Sequence, residues 1–343
     1  AQIGAVVGRS IRRNGKQNGD IAAGTTRITG KNLELRLAQH PEINFLVSPG
    51  DQINEPAEDQ SAAKIQMQEY QYAGYLSPAA LRSLPAATSI GNHDCMTSGY
   101  QNHFNVPNPF TEEMNSTKAG YGYYYTYGSA LFIVINANNY NAADISLIEK
   151  AIKAHPDTKW RIVVMHQDIY GSGKDHSDSD GILLRTQLTP IFDANKIDVV
   201  LQGHDHTYAR TYQLSSDGKD HATFDQFKVA GQCGQKHNLL DAALKNQEFK
   251  NNYVSQNMCY TIADMSQGVL RNPNGVFYMS SNSATGSKFY ELIPQQQDYI
   301  AARSQTWRPT YSVIRITNNS FTINTYDAET GTPIDSSYSI IKD

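Results

Sequence analysis

Short apolar runs alternate with longer amphipathic stretches along most of this chain. Runs rich in Val, Ile, Phe and Tyr, and short enough for strands, stand at 44–48, 131–136, 161–165, 198–202, 276–280, 311–317 and 321–326. The spacing predicts helices over 31–40, 57–76, 142–155 and 186–195. Asn141 or Asp144 would start the third, and Pro156 would stop it. Strands followed by helices predict an α/β sheet protein. From Val276 the rhythm changes to strand, turn, strand, with Asn318-Asn319 and Glu329-Thr330-Gly331 as turn signals. These late strands are expected to complete a second sheet of the same domain. Residues 231–267 read as a polar insertion with few strand signals. No internal repeat and no linker rich in Pro, Gly or Ser divides the chain, so one domain over 1–343 is expected.

A chain of 343 residues can bury a large core. The formal net charge of -4 gives no basic stripe for a nucleic-acid backbone, and no apolar run approaches a membrane span. The 21 tyrosines, with abundant Asn and Gln, lean toward the composition of secreted proteins. Cys95, Cys233 and Cys259 form no CxxC pair, so a zinc ribbon is not expected. Cys233 and Cys259 flank one polar segment and are candidates for a disulfide, the alternative being three free thiols. The chain opens on Ala1 rather than Met, so any signal peptide would lie outside the stretch read here.

Four polar motifs each follow an apolar run, the position where ligands bind in open α/β sheets. Gly50-Asp51 follows Phe45-Leu46-Val47. The glycine allows a sharp turn, and a two-oxygen carboxylate can bridge two cations. Gly91-Asn92-His93-Asp94 follows Ala87-Thr88-Ser89-Ile90. Asn92 offers a neutral oxygen, His93 can donate a proton, and Asp94 could fix the tautomer of His93. His166 ends Ile162-Val163-Val164-Met165. Gly203-His204-Asp205-His206 follows Val199-Val200-Leu201-Gln202, and its two imidazoles could face different metals. Each motif alone also suits a turn or a helix cap. Together they place Asp, Asn and three His at strand ends, which points to a binuclear metal site.

In this order the motifs resemble those of the calcineurin-like metallophosphoesterases, over about Leu33 to Tyr212 and weakly beyond. His166-Gln167-Asp168-Ile169-Tyr170-Gly171 and His204-Asp205-His206-Thr207-Tyr208-Ala209-Arg210-Thr211-Tyr212 are similar to the secreted, bacterial, purple-acid-phosphatase-like branch. The resemblance implies two packed mixed β-sheets flanked by helices. It implies that Asp51 bridges two metals, that Asn92, His166 and His204 complete one metal site, that His206 belongs to the other, and that His93 acts as general acid or transition-state donor. The cofactors would be two metal ions drawn from Mn, Fe and Zn. The reaction would be hydrolysis of a small phosphate mono- or diester by a metal-bound hydroxide, with no nucleic-acid partner, in a secreted or cell-surface protein. His176 and residues 171–174 could line the cleft. Arg210 could contact the substrate phosphate, or simply pair with a carboxylate.

Two departures from the family pattern matter. Asn54 stands where true purple acid phosphatases carry an iron-binding tyrosine, so no iron-tyrosinate colour is expected. The family's first motif, Asp-x-His or Asp-x-Gln after the first strand, is not seen. Ala1-Gln2-Ile3-Gly4 resembles the end of its Asp-x-Gln-x-Gly form, with Gln2 as a neutral metal ligand. On that reading the first strand and its aspartate would precede Ala1. A catalytically impaired homologue, acting as an extracellular binding or structural protein, is the competing expectation.

Overall fold

The computed structural model describes residues 3–7, 36–112, 117–140, 144–174, 176–221, 233, 244–286 and 288–343, with 3–7, 144, 145 and 180 described by backbone alone. In chain order the strands are β1 (Ile3–Val7), β2 (Phe45–Ser48), β3 (Ala86–Thr88), β4 (Tyr123–Tyr127), β5 (Ala130–Val134), β6 (Trp160–Val164), β7 (Val199–Gln202) and β8 (Tyr208–Ser216). They continue with β9 (Tyr260–Asp264), β10 (Val269–Arg271), β11 (Val276–Ser280), β12 (Ile300–Ser304), β13 (Thr310–Ile316), β14 (Ser320–Asp327) and β15 (Tyr338–Ile341). The helices are α1 (Ala62–Tyr75), α2 (Gly99–His103), α3 (Asp144–Ala154), α4 (Asp180–Ala194) and α5 (Gln247–Gln256). Residues 36–39 are also helical, within the first predicted helix.

Two mixed sheets pack face to face. One runs β10-β15-β14-β13-β1-β2-β3 and the other β12-β8-β11-β7-β6-β5-β4, with β9 added beside β8. β5 shows why the apolar runs read as strands. All five of its positions are buried. Phe132 and Val134 join Phe45, Val47, Ile314 and Phe321 between the sheets. Leu131 and Ile133 join Leu147 and Ile148 of α3, and Leu183, Leu188 and Phe192 of α4, on the outer face. A strand covered on both faces is apolar throughout rather than alternating. Truncating one such side chain, Phe132 for example, typically costs about 3–5 kcal/mol.

The late strands do not form one sheet. β11 and β12 enter the second sheet, while β13, β14 and β15 complete the first. The physical reason is β1. It pairs parallel with β2, Val7 opposite Val47, and antiparallel with β13, Ile3 opposite Ile316. Ile3–Val7 thus stands between β13 and β2 in the first sheet. Ile3 starts β1, and it is the other end of the strand, Val7, that lies level with the end of β2. Residues 8–35, which follow it, lie outside the described residues. Gln2 itself lies outside the described residues.

The described part of the polar insertion carries more structure than expected. Asn246 caps α5 by accepting the Phe249 N–H at 3.0 Å, and β9 follows. No helix among the described residues is long and apolar enough to cross a membrane.

Candidate metal centre

The carboxyl ends of β2, β3, β6 and β7 meet at one edge of the sandwich, and close backbone approach brings their turns together. Gly50 and Asp51 have φ of 96° and 53°, so the chain reverses directly after β2. A Cβ at Gly50 would sit 2.3 Å from His166 Nδ1, and one at Gly91 would sit 2.0 Å from Asp51 Oδ1. The two glycines are required because a ring and a carboxylate lie against their backbones. His204, with φ of 64°, is another non-glycine residue in the left-handed region. Such strain clusters where a side chain must be aimed for function.

Asp51, Asn92, His166 and His204 come together there. His166 Nδ1 lies 2.8 Å from the Pro49 carbonyl oxygen, so that nitrogen carries the proton. Its Nε2 then presents a lone pair to Asn92 Oδ1 at 2.9 Å, His204 Nδ1 at 3.1 Å and Asp51 Oδ2 at 3.3 Å. Ligand atoms of Asp51, His166 and His204 all fall within 4.8 Å of one another, and all three residues are buried. Electron-rich atoms facing one another out of water repel unless a cation lies between them. One carboxylate, one amide oxygen and two imidazoles therefore fit a borderline divalent metal such as Zn, Fe or Mn.

His93 stands beside this group. Its backbone N–H donates to Asp51 Oδ1 at 3.0 Å, and its Nε2 lies 4.0 Å from Asp51 Oδ2. The expected link from Asp94 to the His93 ring is corrected. His93 Nδ1 lies 2.6 Å from the Asn54 carbonyl oxygen, which sets the tautomer. The Asp94 carboxylate instead accepts the Gly91 N–H at 3.0 Å, the Gln52 N–H at 3.3 Å and the Tyr72 hydroxyl at 2.9 Å. Burial, and then the nearby Asp51 charge, push the Asp94 carboxyl above the usual carboxylate range. Asp94 thus binds the Gly50–Gln52 and Gly91–Asp94 turns together.

The profile of the family described as "Calcineurin-like phosphoesterase" matches residues 26–208, more than half of the chain. The chain belongs to the calcineurin-like phosphoesterase family. Among curated relatives, an uncharacterized protein of Mycobacterium tuberculosis is 26% identical over 154 residues, covering 38% of this chain and 28% of its own length. Purple acid phosphatase 19 of Arabidopsis thaliana is 37% identical over 60 residues, covering 18% of this chain and 15% of that protein. The chain thus spans well under a third of these relatives. In structure it is similar to a purple acid phosphatase from yellow lupin (Lupinus luteus) seeds, with a TM-score of 0.61, 15% identity, and coverage of 100% of this chain and 54% of that one. It is also similar to GAP50, the anchor in the inner membrane complex of Plasmodium, with a TM-score of 0.55, 15% identity, and coverage of 100% and 90%. These likenesses establish the fold: the two packed mixed sheets.

Around the calcineurin-like donor set lie the remaining candidates. His206 is fully buried, with Nδ1 2.6 Å from the Lys288 carbonyl oxygen, the same backbone anchoring seen at His166. Among the described residues it stands outside the three-donor group. The His176 ring lies 3.6 Å from that of His204, centroid to centroid. Arg210 is buried against Asp335, with a second contact to Asp335 Oδ1 at 3.2 Å, and lies over the Tyr338 ring. Its contacts answer to the carboxylate alternative rather than to a substrate phosphate.

Sequence reasoning missed a polar staple behind His176. Asp205 is fully buried and accepts the Gly173 N–H at 2.7 Å and the Ser177 hydroxyl, and Ser177 Oγ also lies 3.0 Å from Asp168 Oδ2. A Cβ at Gly173 would sit 2.3 Å from the Asp205 carboxyl carbon. Only the spacing was visible beforehand: Asp168 is two residues past His166, and Asp205 separates the paired histidines.

The disulfide pairing is also corrected. Cys95 bonds Cys233, with Cα atoms 6.1 Å apart, and Cys259 is a buried free thiol. Cys259 donates to the Asn257 carbonyl at 3.2 Å, and burial pushes its thiol up to about 12. Sequence proximity to Cys259 misled because Cys233 instead reaches the turn after Asp94, where its N–H also donates to Asn139 Oδ1 at 3.0 Å.

Proposed function

We propose that this chain is a metal-dependent hydrolase of small phosphate esters. The observation that carries the reading is the convergence of Asp51, Asn92, His166 and His204 on one buried point at a common edge of the two sheets. Cations bound there would supply a water nucleophile at neutral pH and neutralise charge on the phosphoryl oxygens. The protein's own residues do the rest. The Pro49 carbonyl holds His166 in its ligating tautomer, and the Asn54 carbonyl holds His93 with Nε2 directed to the Asp51 side. A protonated Nε2 can then donate to the leaving-group oxygen or to the charge developing on phosphorus. Asn54 offers no phenolate, so the metals are colourless or weakly coloured rather than purple.

Two metals would share Asp51, with His206 on the second. One observation favours a weak second site and a correspondingly impaired enzyme. Two divalent cations bring a charge of about +4, while Asp51 is the only anion in the proposed ligand set, and open catalytic zinc sites usually keep three protein ligands. Metal titration combined with turnover of p-nitrophenyl phosphate and bis-p-nitrophenyl phosphate tests the reading. Manganese-dependent hydrolysis with at least one tightly held metal is expected, and a chain that binds no metal would overturn it.

The Cys95–Cys233 bond suits an oxidising compartment, so we place the protein outside the cytoplasm. Non-reducing peptide mapping should find one linked pair and one free thiol. Three free thiols in protein from its native source would end that placement.

A further inference from the structure

The segments after β11 and β12 meet beside His206. β11 runs parallel to β7, so its carboxyl end opens at the same edge as the Gly203–His206 turn. β12 ends with Ser304 opposite Tyr208, two residues past His206. Gln305 then locks the segments together. Its amide donates to the His206 carbonyl at 2.7 Å and to the Tyr290 carbonyl at 2.5 Å, and its Oε1 accepts the Trp307 N–H at 3.1 Å. Two groups of rings are joined through this link. Tyr290 packs on His206 at 4.6 Å and reaches His176 at 5.8 Å, while Phe289 meets Trp307 edge-on at 6.4 Å.

Trp307 is the informative member. Its indole is 58% exposed and its backbone has φ of 57°. A bulky side chain in the left-handed region carries strain, and here burial of the ring does little to offset it. An exposed aromatic face held in a strained turn, tied by one glutamine to a buried histidine of the site, is built to receive a flat apolar group.

We propose that Tyr290, Phe289 and Trp307 form the leaving-group wall of the site, and that its esters carry a planar aromatic group, either a nucleoside or an aryl alcohol. This rests on the phosphoesterase reading above and adds the substrate class. Offset or edge-on ring contacts contribute on the order of a tenfold preference at most.

The chain has two tryptophans, and Trp160 is fully buried, so solvent-exposed emission reports Trp307. With manganese present, phenylphosphonate or adenosine monophosphate should quench that emission saturably, while methylphosphonate should not. The tighter of the two quenchers identifies the aryl or the nucleoside source. In kinetics, Trp307→Ala should lower the kcat/KM ratio of phenyl phosphate to ethyl phosphate about tenfold, and Trp307→Phe should restore most of it. Trp307→Gly should lower the ratio equally without lowering Tm, because glycine accepts the positive φ. Hydrolysis of both esters with an unmoved ratio, or equal quenching by methylphosphonate, overturns the aromatic wall alone. A wild-type chain that binds no manganese and hydrolyses neither ester overturns the phosphoesterase reading and this proposal with it.

Discussion

The two sides of the cleft are built from the same kind of strand end but differ in the chemistry they bring. On one side, turns after β2, β3, β6 and β7 deliver Asp51, Asn92, His166 and His204 within contact distance of one another. On the other, His206 is buried but stands outside the three-donor group among the described residues. The backbone architecture continues through both sides, since β1 sits in register between β13 and β2. A complete fold therefore does not guarantee a complete donor set. Each metal position depends on what the last residues of a few strands happen to carry.

The largest expected effect tests the complete side. His166→Ala removes one of four convergent donors and should lower turnover by about a hundredfold to a thousandfold, with a matching loss of the tightly bound metal. Retention of both would separate this cluster from catalysis. His93→Ala should lower turnover about a hundredfold or more while metal content stays the same, because His93 lies 4.0 Å from Asp51 and its Nδ1 is engaged by Asn54. Loss of metal together with turnover would make His93 a ligand instead.

Much of this was legible in the chain itself. β5 reads as an unbroken apolar run, and β6, β7 and β11 as nearly unbroken ones, because both of their faces are covered. The candidate site was legible because four polar motifs end such runs together, whereas each alone also suits a turn or a helix cap. The rest was hidden for physical reasons. β8 contains Arg210, Thr211 and Gln213, buried polar residues whose partners Asp335, Tyr278 and Tyr338 lie far along the chain. β1 looks featureless because Gly4 and Ala5 break its apolar run. The partner of Cys95 lies 138 residues away, a separation no local pattern encodes. Closing a loop of that length should stabilise the fold by about 5 kcal/mol in the chain-entropy account.

A smaller effect is expected on the incomplete side. Arg9→Asp adds a carboxylate two residues along the chain from the end of β1. If the cleft lacks only that anion, a second equivalent of manganese should bind at least about tenfold more tightly, the scale of one favourable ligand contact, as read by isothermal titration. Unchanged stoichiometry and affinity would mean that the two sides differ in more than a single charge, and the comparison would have to be redrawn around His206.

The smallest effect concerns the residue that joins the two sides. Asp205 stands between His204 and His206 and is fully buried. Its Oδ2 receives the Gly173 N–H and the Ser177 hydroxyl, so it ties the loop carrying His176 to the turn that carries both histidines. The His176 ring in turn lies against His204, tilted by 31°. Asp205→Asn keeps the shape and one acceptor oxygen but removes the charge. A hydrogen bond to a charged group is worth about 1.5–3 kcal/mol against about 1 kcal/mol for a neutral one. The substitution should therefore cost roughly 1 kcal/mol and lower Tm by about 2 °C in a chain of this size. A purely structural role would stop there. If Asp205 positions the His176 loop for substrate, KM should rise about three- to tenfold with kcat and bound metal little changed, because 1.4 kcal/mol of lost binding is tenfold. Ser177→Ala should produce the same split, since it cuts the same link from the other end. A fall in kcat at constant KM would instead show that Asp205 acts through the orientation of His204 and His206, and that the two sides are coupled through their shared turn rather than through the loop above it.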